Sequence, residues 1–182
     1  ALSPSHEPSV PEIKPPTPDP QPPAVSAVAA GPPCRYIIQT MCTLVILRRA
    51  GHPWPLALAA NRDEMADRPW TPPARHWPDR QEVVAGRDDL ADGTWMGIND
   101  FGVVSAVLNR RNSLGPQPGL RSRGELPLEA LDHESAAEAA EALADIDPAG
   151  YRPFNLFIGD SEDTFLLCSR DDGDDGPARR RI

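Results

Sequence analysis

The distribution of proline divides this chain at about residue 40. Residues 1–40 hold 11 of the 23 prolines in the 182-residue sequence, and three pairs of adjacent prolines are among them. Because proline lacks a backbone N–H group and fixes φ, so proline-rich a segment cannot sustain a helix or a sheet ladder. We therefore predict an extended, unfolded arm over 1–40 and a folded domain that begins at Met41.

The arm lacks the features of a targeting segment. It has no long apolar core of the kind that secretory signals contain, and Lys14 and Arg35 are its only strong bases, whereas mitochondrial presequences are rich in arginine. Four interpretations stay open: a linker, a proline-rich ligand, a propeptide whose removal exposes residue 42, or upstream sequence read in frame before a start at Met41. We favour the last of these.

Charge and cysteine content limit the partners and the compartment. The formal net charge of −9 argues against a surface for nucleic acid or an anionic membrane, so a small-molecule partner fits better. No stretch approaches the roughly 18 uninterrupted apolar residues of a spanning helix, so we expect a soluble protein with no membrane span. The three cysteines, an odd number at wide spacing, fit neither a disulfide framework nor a zinc site. We therefore expect a cytoplasmic location, no metal and no cofactor.

The dipeptide Met41-Cys42 offers a nucleophile. If translation starts at Met41 and the methionine is removed, Cys42 carries both a thiol and a free α-amino group. A thiol has an ordinary pKa of about 8.5, and an α-amino group, which titrates at about 7.7 to 8.0, can accept the thiol proton. One residue would then supply both nucleophile and base. The alternative is that Cys42 begins a strand as a small buried hydrophobe.

Three pairs of short apolar runs predict β-hairpins. Each pair encloses residues typical of turns, such as Gly51-His52-Pro53 in the first and Asn99-Asp100-Phe101-Gly102 in the second. The first hairpin returns the chain from Cys42 to the segment Asn61–Glu64, so its two ends should lie together. The predicted strand pairs are Thr43 to Leu47 with Pro55 to Ala60, Thr94 to Ile98 with Val103 to Leu108, and Phe154 to Ile158 with Thr164 to Cys168.

The segments between and after these hairpins predict loops and a helical layer. Residues 65–93 contain several prolines and are expected to be mostly irregular. A helical region opens at 122–124, and the alanine- and glutamate-rich stretch 135–144 predicts a helix capped by Asp132 or His133. Strands, helices and further strands indicate the α+β class, in one domain over 41–170 followed by a polar tail over 171–182.

Several motifs are spread in order over this domain. They are MCTLVI at 41–46, ANRDE at 60–64, GRDDLADGTWMGIND at 86–100, VLNRR at 107–111, SRG at 122–124 and FNLFIGD at 154–160. Together they resemble the NRDE family, which takes in the Transport and Golgi organization protein 2 homologues. The resemblance implies an αββα sandwich of the N-terminal nucleophile hydrolase type. Since family members usually begin at this MCT and run well past residue 182, it also implies an extraneous arm and a domain truncated at its C-terminus.

A looser resemblance links the same stretch to bile-salt hydrolases and penicillin acylases, which also begin with MCT. In those enzymes the mature cysteine attacks an amide, an Arg-Asn-x-Asp segment holds its amine and thiol, and a later asparagine lines the oxyanion hole. This resemblance implies that Cys42 is the nucleophile, that Asp63 binds its α-amine and that Asn109 is the oxyanion donor. The arginine has no counterpart, because Ala60 stands at its position and the basic residue here is Arg62.

Neighbouring polar residues complete the predicted site. Arg62 is expected either to lower the thiol pKa or to hold an anionic substrate. Asn61, Glu64 and Asn155 are the predicted substrate-binding residues. The alternative for Asn61–Glu64 is a solvated turn with an internal ion pair.

Two hypotheses of function therefore remain. The first is a cysteine hydrolase of the N-terminal nucleophile type that cleaves an amide or a thioester. The second is a non-catalytic carrier or trafficking factor, because the family is associated with Golgi organisation, secretion and the movement of haem and lipids. In either case the expected partner is a small-molecule acyl, lipid or haem-like ligand.

Overall fold

The computed structural model describes residues 42–62, 64–110, 113–169 and 178–182. The predicted proline-rich arm, Asp63 and the acidic run at 171–176 lie outside these residues. A short 3-10 helix spans Pro148–Gly150. The other elements are β1 (Thr43–Arg48), β2 (Leu56–Asn61), β3 (Trp70–Ala74), β4 (Val83–Asp88), β5 (Met96–Asn99), β6 (Val104–Asn109), α1 (Glu125–Leu131), α2 (Ala136–Ala142), β7 (Phe154–Gly159), β8 (Thr164–Cys168) and β9 (Ala178–Arg181).

Strands β3 to β9 form one antiparallel sheet in which spatial order follows chain order, and β1 and β2 form a separate antiparallel hairpin. Both helices pack on the large sheet, α1 against β5, β6 and β7, and α2 against β7 and β8. Gly97 faces this helical layer, since a Cβ atom there would lie 2.8 Å from Cδ1 of Leu131. Successive side chains of a strand point to opposite faces, so Met96 and Ile98 face away from the helices, towards the hairpin.

The described residues therefore stack in three layers, with the helices on one side of the large sheet and the hairpin on the other. This arrangement confirms the α+β class predicted from the sequence. The αββα sandwich needs a further helical layer, and it stays a prediction. Neither described α-helix is long and apolar enough to cross a membrane.

The core lies between the helices and the large sheet. In β7, Phe154, Leu156 and Ile158 are fully buried at every second position, as expected for a strand with one face against helices. Leu126 and Leu131 of the helical layer are buried in the same cluster. Burial of a side chain of this size stabilises the fold by about 1.5–3 kcal/mol, so this contact holds β5 to β8 in place.

The structure confirms the three predicted hairpins. In the second of them, Gly102 adopts φ +88° and its N–H group donates to the carbonyl oxygen of Asn99 at 3.1 Å. This left-handed conformation favours glycine and explains the tight connection between β5 and β6.

Residues 65–93 were expected to be mostly irregular, and most of them lie outside helices and strands, but the two strands β3 and β4 in this segment were not predicted. Proline is tolerated in β3 for two reasons. This strand is at the edge of the sheet, and its register with β4 shifts between Thr71 and Ala74, where Pro72 and Pro73 lie. At such a bulge on an edge strand, no neighbouring strand needs the missing N–H groups.

Two further differences concern the ends of elements. Helix α2 is capped by Ser135, whose hydroxyl accepts from the N–H group of Glu138 at 3.2 Å, so the predicted caps Asp132 and His133 were wrong. Strand β9 was not predicted. It pairs with β8 through three arginines and Ala178, a composition that carries no apolar alternation.

Candidate active site

The hairpin brings the start of β1 and the end of β2 together. Thr43 pairs with Asn61 in the register, and the N–H group of Thr43 donates to Oδ1 of Asn61 at 2.7 Å. Cys42, which precedes β1 directly and is half-buried, therefore lies beside the residues that follow β2. The Asn61 side chain holds the hairpin ends together, which is a structural task.

A pocket of about 190 Å³ opens at this end of the hairpin. Of the predicted site residues, Cys42, Arg62, Glu64 and Asn109 line it. Asn155 is not among the lining residues, since it lies in β7 between Leu108 and Cys168 on the neighbouring strands. Asp63 lies outside the described residues, so its role stays a prediction.

Asn109 is the last residue of β6 and is half-buried at the wall of the pocket. A carboxamide carries an N–H₂ group that can donate to an oxyanion. The position at a strand end suits this function, because the strand fixes the backbone while the side chain meets the pocket.

Arg62 is held on two sides. Its Cζ atom lies 4.1 Å from the centre of the Trp95 ring, and its Nη2 donates to Oε2 of Glu64 at 3.1 Å. Glu64 also accepts from the N–H group of Met65 at 3.0 Å. The charge of Arg62 is thus largely offset by Glu64, and stacking on the aromatic face contributes about 0.5–2 kcal/mol.

A second arginine in the pocket forms a buried ion pair. Nη2 of Arg68 lies 2.6 Å from Oδ2 of Asp88, and both side chains are only 11% exposed. The other carboxylate oxygen of Asp88 accepts from the N–H groups of Leu90 and Ala91, at 3.1 and 3.4 Å. This pair therefore connects the start of β3 to the turn after β4 and shapes the pocket wall.

A third arginine, Arg123, comes from the loop before α1 and is half-buried. Its Nη1 donates to Oγ of Ser113 at 2.9 Å and to the carbonyl oxygen of Pro153 at 3.0 Å. Burial lowers the pKa of Arg123, and Arg152 adds to this, whereas Glu64 and Cys42 act in the opposite direction. Cys42 and Arg123 line the same pocket.

Close backbone packing fixes the loop that carries Arg123. The N–H group of Thr94 donates to the carbonyl oxygen of Gly124 at 2.9 Å. A Cβ atom on Gly93 would lie 2.6 Å from the carbonyl carbon of Gly124, so the two segments touch where no side chain fits. These contacts place Arg123 next to the segment that carries Trp95.

The pocket has a positive balance of charge although the chain is acidic. Among the described lining residues, five arginines face two carboxylates. The arginines are Arg62, Arg68, Arg121, Arg123 and Arg152, and the carboxylates are Glu64 and Asp88. Such a balance favours an anion or a group that becomes negative during a reaction.

A second, apolar cavity of about 570 Å³ lies between the hairpin and the large sheet. Leu56 and Leu58 line it on one side and Val84, Met96 and Ile98 on the other. Trp95 borders both this cavity and the arginine-rich pocket. Among the described residues, no three His, Cys, Asp or Glu side chains come together in a way that could hold a metal ion.

Sequence reasoning missed Trp95, Arg68 and Arg123 as lining residues of the pocket. Trp95 and Arg123 belong to the motifs at 86–100 and 122–124, but the motifs alone do not indicate which of their residues face Cys42. Which of these residues face Cys42 depends on the contact of Gly93 with Gly124, two residues about thirty positions apart in the sequence.

Comparison with known protein families gives a match between residues 41–178 and the family model described as Transport and Golgi organisation 2. The matched segment takes in β1 to β8, both helices and every described residue of the pocket. Comparison with curated protein sequences finds no match.

Proposed function

The chain belongs to the Transport and Golgi organisation 2 family, and from this premise we propose that it is a cysteine hydrolase that cleaves an amide or a thioester. The observation that carries the proposal is the position of Cys42, a half-buried thiol in a pocket with an excess of arginine and with Asn109 in its wall. A nucleophile and a donor for an oxyanion in one pocket are the minimum that acyl transfer requires.

The proposed reaction begins with Cys42 as the N-terminal residue of the mature protein. The thiol proton passes to the α-amino group of the same residue, and Sγ attacks the acyl carbon of the substrate. The carbonyl oxygen becomes an oxyanion, to which the amide N–H₂ group of Asn109 donates. The bond from the acyl carbon to nitrogen or sulfur then breaks, and the leaving group takes the proton from the ammonium group.

The second half of the reaction returns the enzyme to its starting state. The acyl group is held on Sγ as a thioester, and the α-amino group removes a proton from an attacking water molecule. The bond between the acyl carbon and Sγ then breaks, the acid leaves, and the ammonium group returns the proton to Sγ, which restores the thiol. In this scheme Asp63 orients the α-amino group, a role that comes from the resemblance to bile-salt hydrolases and penicillin acylases.

Arg62 and Glu64 act as a pair in this proposal. Since Glu64 offsets the charge of Arg62 and Trp95 supports its flat face, we propose that Arg62 shapes the pocket and contacts the substrate.

The negative net charge of the chain and its few cysteines support a cytoplasmic location.

A carrier function is the second candidate, and the apolar cavity favours it. A cavity of about 570 Å³ lined by Leu56, Leu58, Met96 and Ile98 has the size and polarity of a site for an apolar ligand. A carrier would bind such a ligand without any reaction at Cys42.

Intact-protein mass spectrometry distinguishes the two candidates. The native protein is incubated with N-acyl amides and acyl thioesters of increasing chain length, and adducts and released acids are measured. A hydrolase gives an acyl adduct on Cys42 and turnover that Cys42→Ala abolishes and that Cys168→Ala leaves unchanged. A carrier binds the same compounds with equal affinity in both variants and forms no adduct.

A further inference from the structure

The arginines of the pocket differ in what offsets their charge. Arg62 pairs with Glu64 at 3.1 Å, and Arg68 pairs with Asp88 at 2.6 Å. Arg121 pairs with two carboxylates of α1, Glu125 and Glu129, at 2.6 and 3.0 Å. These three side chains therefore contribute little net charge to the pocket.

Arg123 has hydrogen-bond acceptors of another kind. Its partners at Nη1 are the hydroxyl of Ser113 and the carbonyl of Pro153, which are both neutral. Among the described residues, it has no carboxylate within the 4 Å of an ion pair. A guanidinium stays protonated in proteins, so the loop before α1 brings a positive charge that no described carboxylate offsets at ion-pair distance.

The position of this charge is fixed from both sides. Ser113 is buried and its hydroxyl also contacts the carbonyl oxygens of Arg110 and Pro153, so the anchor of the guanidinium is itself held. On the other side, Gly124 packs against Gly93 through their backbones. When an anion forms beside a cation that is held in this way, the side chain needs to rearrange less than a mobile surface arginine would.

We propose that Arg123 is a positioning residue that stabilises the anionic sulfur of Cys42 in the arginine-rich pocket. This inference rests on the proposed function, in which Cys42 is the nucleophile, but it concerns only the ionisation of the Cys42 thiol. Arg123 exchanges no proton, because the thiol proton goes to the α-amino group. Cys42 and Arg123 line the same pocket, and the thiol opposes the lowering of the Arg123 pKa that burial causes.

The rate of alkylation of Cys42 tests this inference in the intact protein. Iodoacetamide reacts with the thiolate, and peptide mapping separates Cys42 from Cys168. At pH 7 we expect Arg123→Gln to lower the rate at Cys42 several-fold, since removal of a neighbouring positive charge disfavours the anionic form of the sulfur. At pH 10 the rate should return towards that of the unsubstituted protein.

Three further variants make the result specific. Arg123→Lys keeps the charge and should retain most of the rate. Arg75→Gln removes an exposed guanidinium that pairs with Asp100 and lies outside this pocket, and it should leave the rate unchanged. Thermal unfolding confirms that each variant is folded, and Arg123→Met takes the place of Arg123→Gln if the latter does not fold.

Two outcomes would overturn the inference: an unchanged rate in the neutral Arg123 variants, or an equal loss in Arg75→Gln. The hydrolase proposal fails separately. If alkylation depends on Arg123 but no acyl compound is turned over, the hydrolase proposal is wrong and the inference about Arg123 stands. If acyl compounds are turned over but the alkylation rate does not depend on Arg123, only the inference is wrong.

Discussion

Gly93 and Gly124 touch through their backbones, and a Cβ atom on Gly93 would lie only 2.6 Å from the carbonyl carbon of Gly124. The contact joins the turn after β4 to the loop before α1. Both segments supply the pocket, Trp95 from the first and Arg123 from the second. The shape of the pocket therefore depends on two residues that have no side chains.

We expect Gly93→Ala to lower the free energy of unfolding by about 1–3 kcal/mol, because the added methyl group must push one backbone away from the other. Gly150→Ala is the matched control, since a Cβ atom there has no neighbour within 4 Å, and it should change stability by less than about 0.5 kcal/mol. Urea unfolding of both variants measures the difference. Equal stability of the two would mean that the loop before α1 moves freely.

The buried pair of Arg68 and Asp88 leads to a second prediction. Asp88→Ala leaves the Arg68 guanidinium buried without its carboxylate and removes an acceptor from the turn that follows β4. We expect a loss of about 3–5 kcal/mol in the free energy of unfolding.

The exposed pair of Arg75 and Asp100 provides the control for that measurement. Its side chains are 46% and 55% exposed, so Asp100→Ala should cost at most about 1 kcal/mol. Urea unfolding at pH 7 compares the two variants. A loss of the same size in both would contradict a special contribution from the buried pair.

The parts of the fold that could be predicted from the sequence depend on neighbours in the chain. The three hairpins follow from alternating apolar residues and from turn residues such as Gly102. The adjacency of Cys42 to the end of β2 follows from the first hairpin. Strand β3 could not be predicted, since Pro72 and Pro73 are compatible with a strand only at a bulge on the edge of a sheet, and the edge is defined by the whole sheet.

The candidate site shows the same limit. Cys42, Arg62, Glu64 and Asn109 were selected from motifs and do line one pocket. Arg123 was not selected, because it reaches the pocket through a contact between distant segments. Asn155 was selected for its place in an apolar strand, yet it stands opposite Leu108, whose side chain points to the other face of the sheet from that of Asn109, and it is not among the lining residues of that pocket.

Asp160 leads to a prediction on pH dependence. It connects the turn between β7 and β8 to the start of α2, as its carboxylate accepts from the N–H groups of Ala136, Glu162 and Asp163 at 2.7 to 2.8 Å. Burial alone would raise the pKa of Asp160, but these backbone hydrogen bonds outweigh it and the pKa is lowered. A lowered pKa stabilises the fold above the ordinary value, and this stabilisation is lost as the pH falls through the lowered one.

We therefore expect Asp160→Asn to be less stable than the unsubstituted protein at pH 7, by about 0.5–2 kcal/mol. The difference should begin to shrink as the pH falls below about 4, where the carboxylate of the unfolded chain becomes protonated, and it should be lost as the pH falls through the lowered pKa of the folded state. Urea unfolding at pH 7, 4 and 3 measures it. A difference that stays constant over this range would mean that the charge of Asp160 does not contribute.

Asn109 provides the prediction on catalysis. If its amide donates to the oxyanion that forms when Cys42 attacks, the hydrogen bond is stronger in the transition state than with the bound substrate. We expect Asn109→Ala to lower kcat by about 10²–10³ with little change in KM, measured with an acyl compound that forms an adduct on Cys42. Gln81→Ala is the control, because it removes an amide that lies outside this pocket and donates to the carbonyl of Pro78. If Asn109→Ala lowers kcat by less than about threefold while turnover still requires Cys42, another donor of the pocket must stabilise the oxyanion.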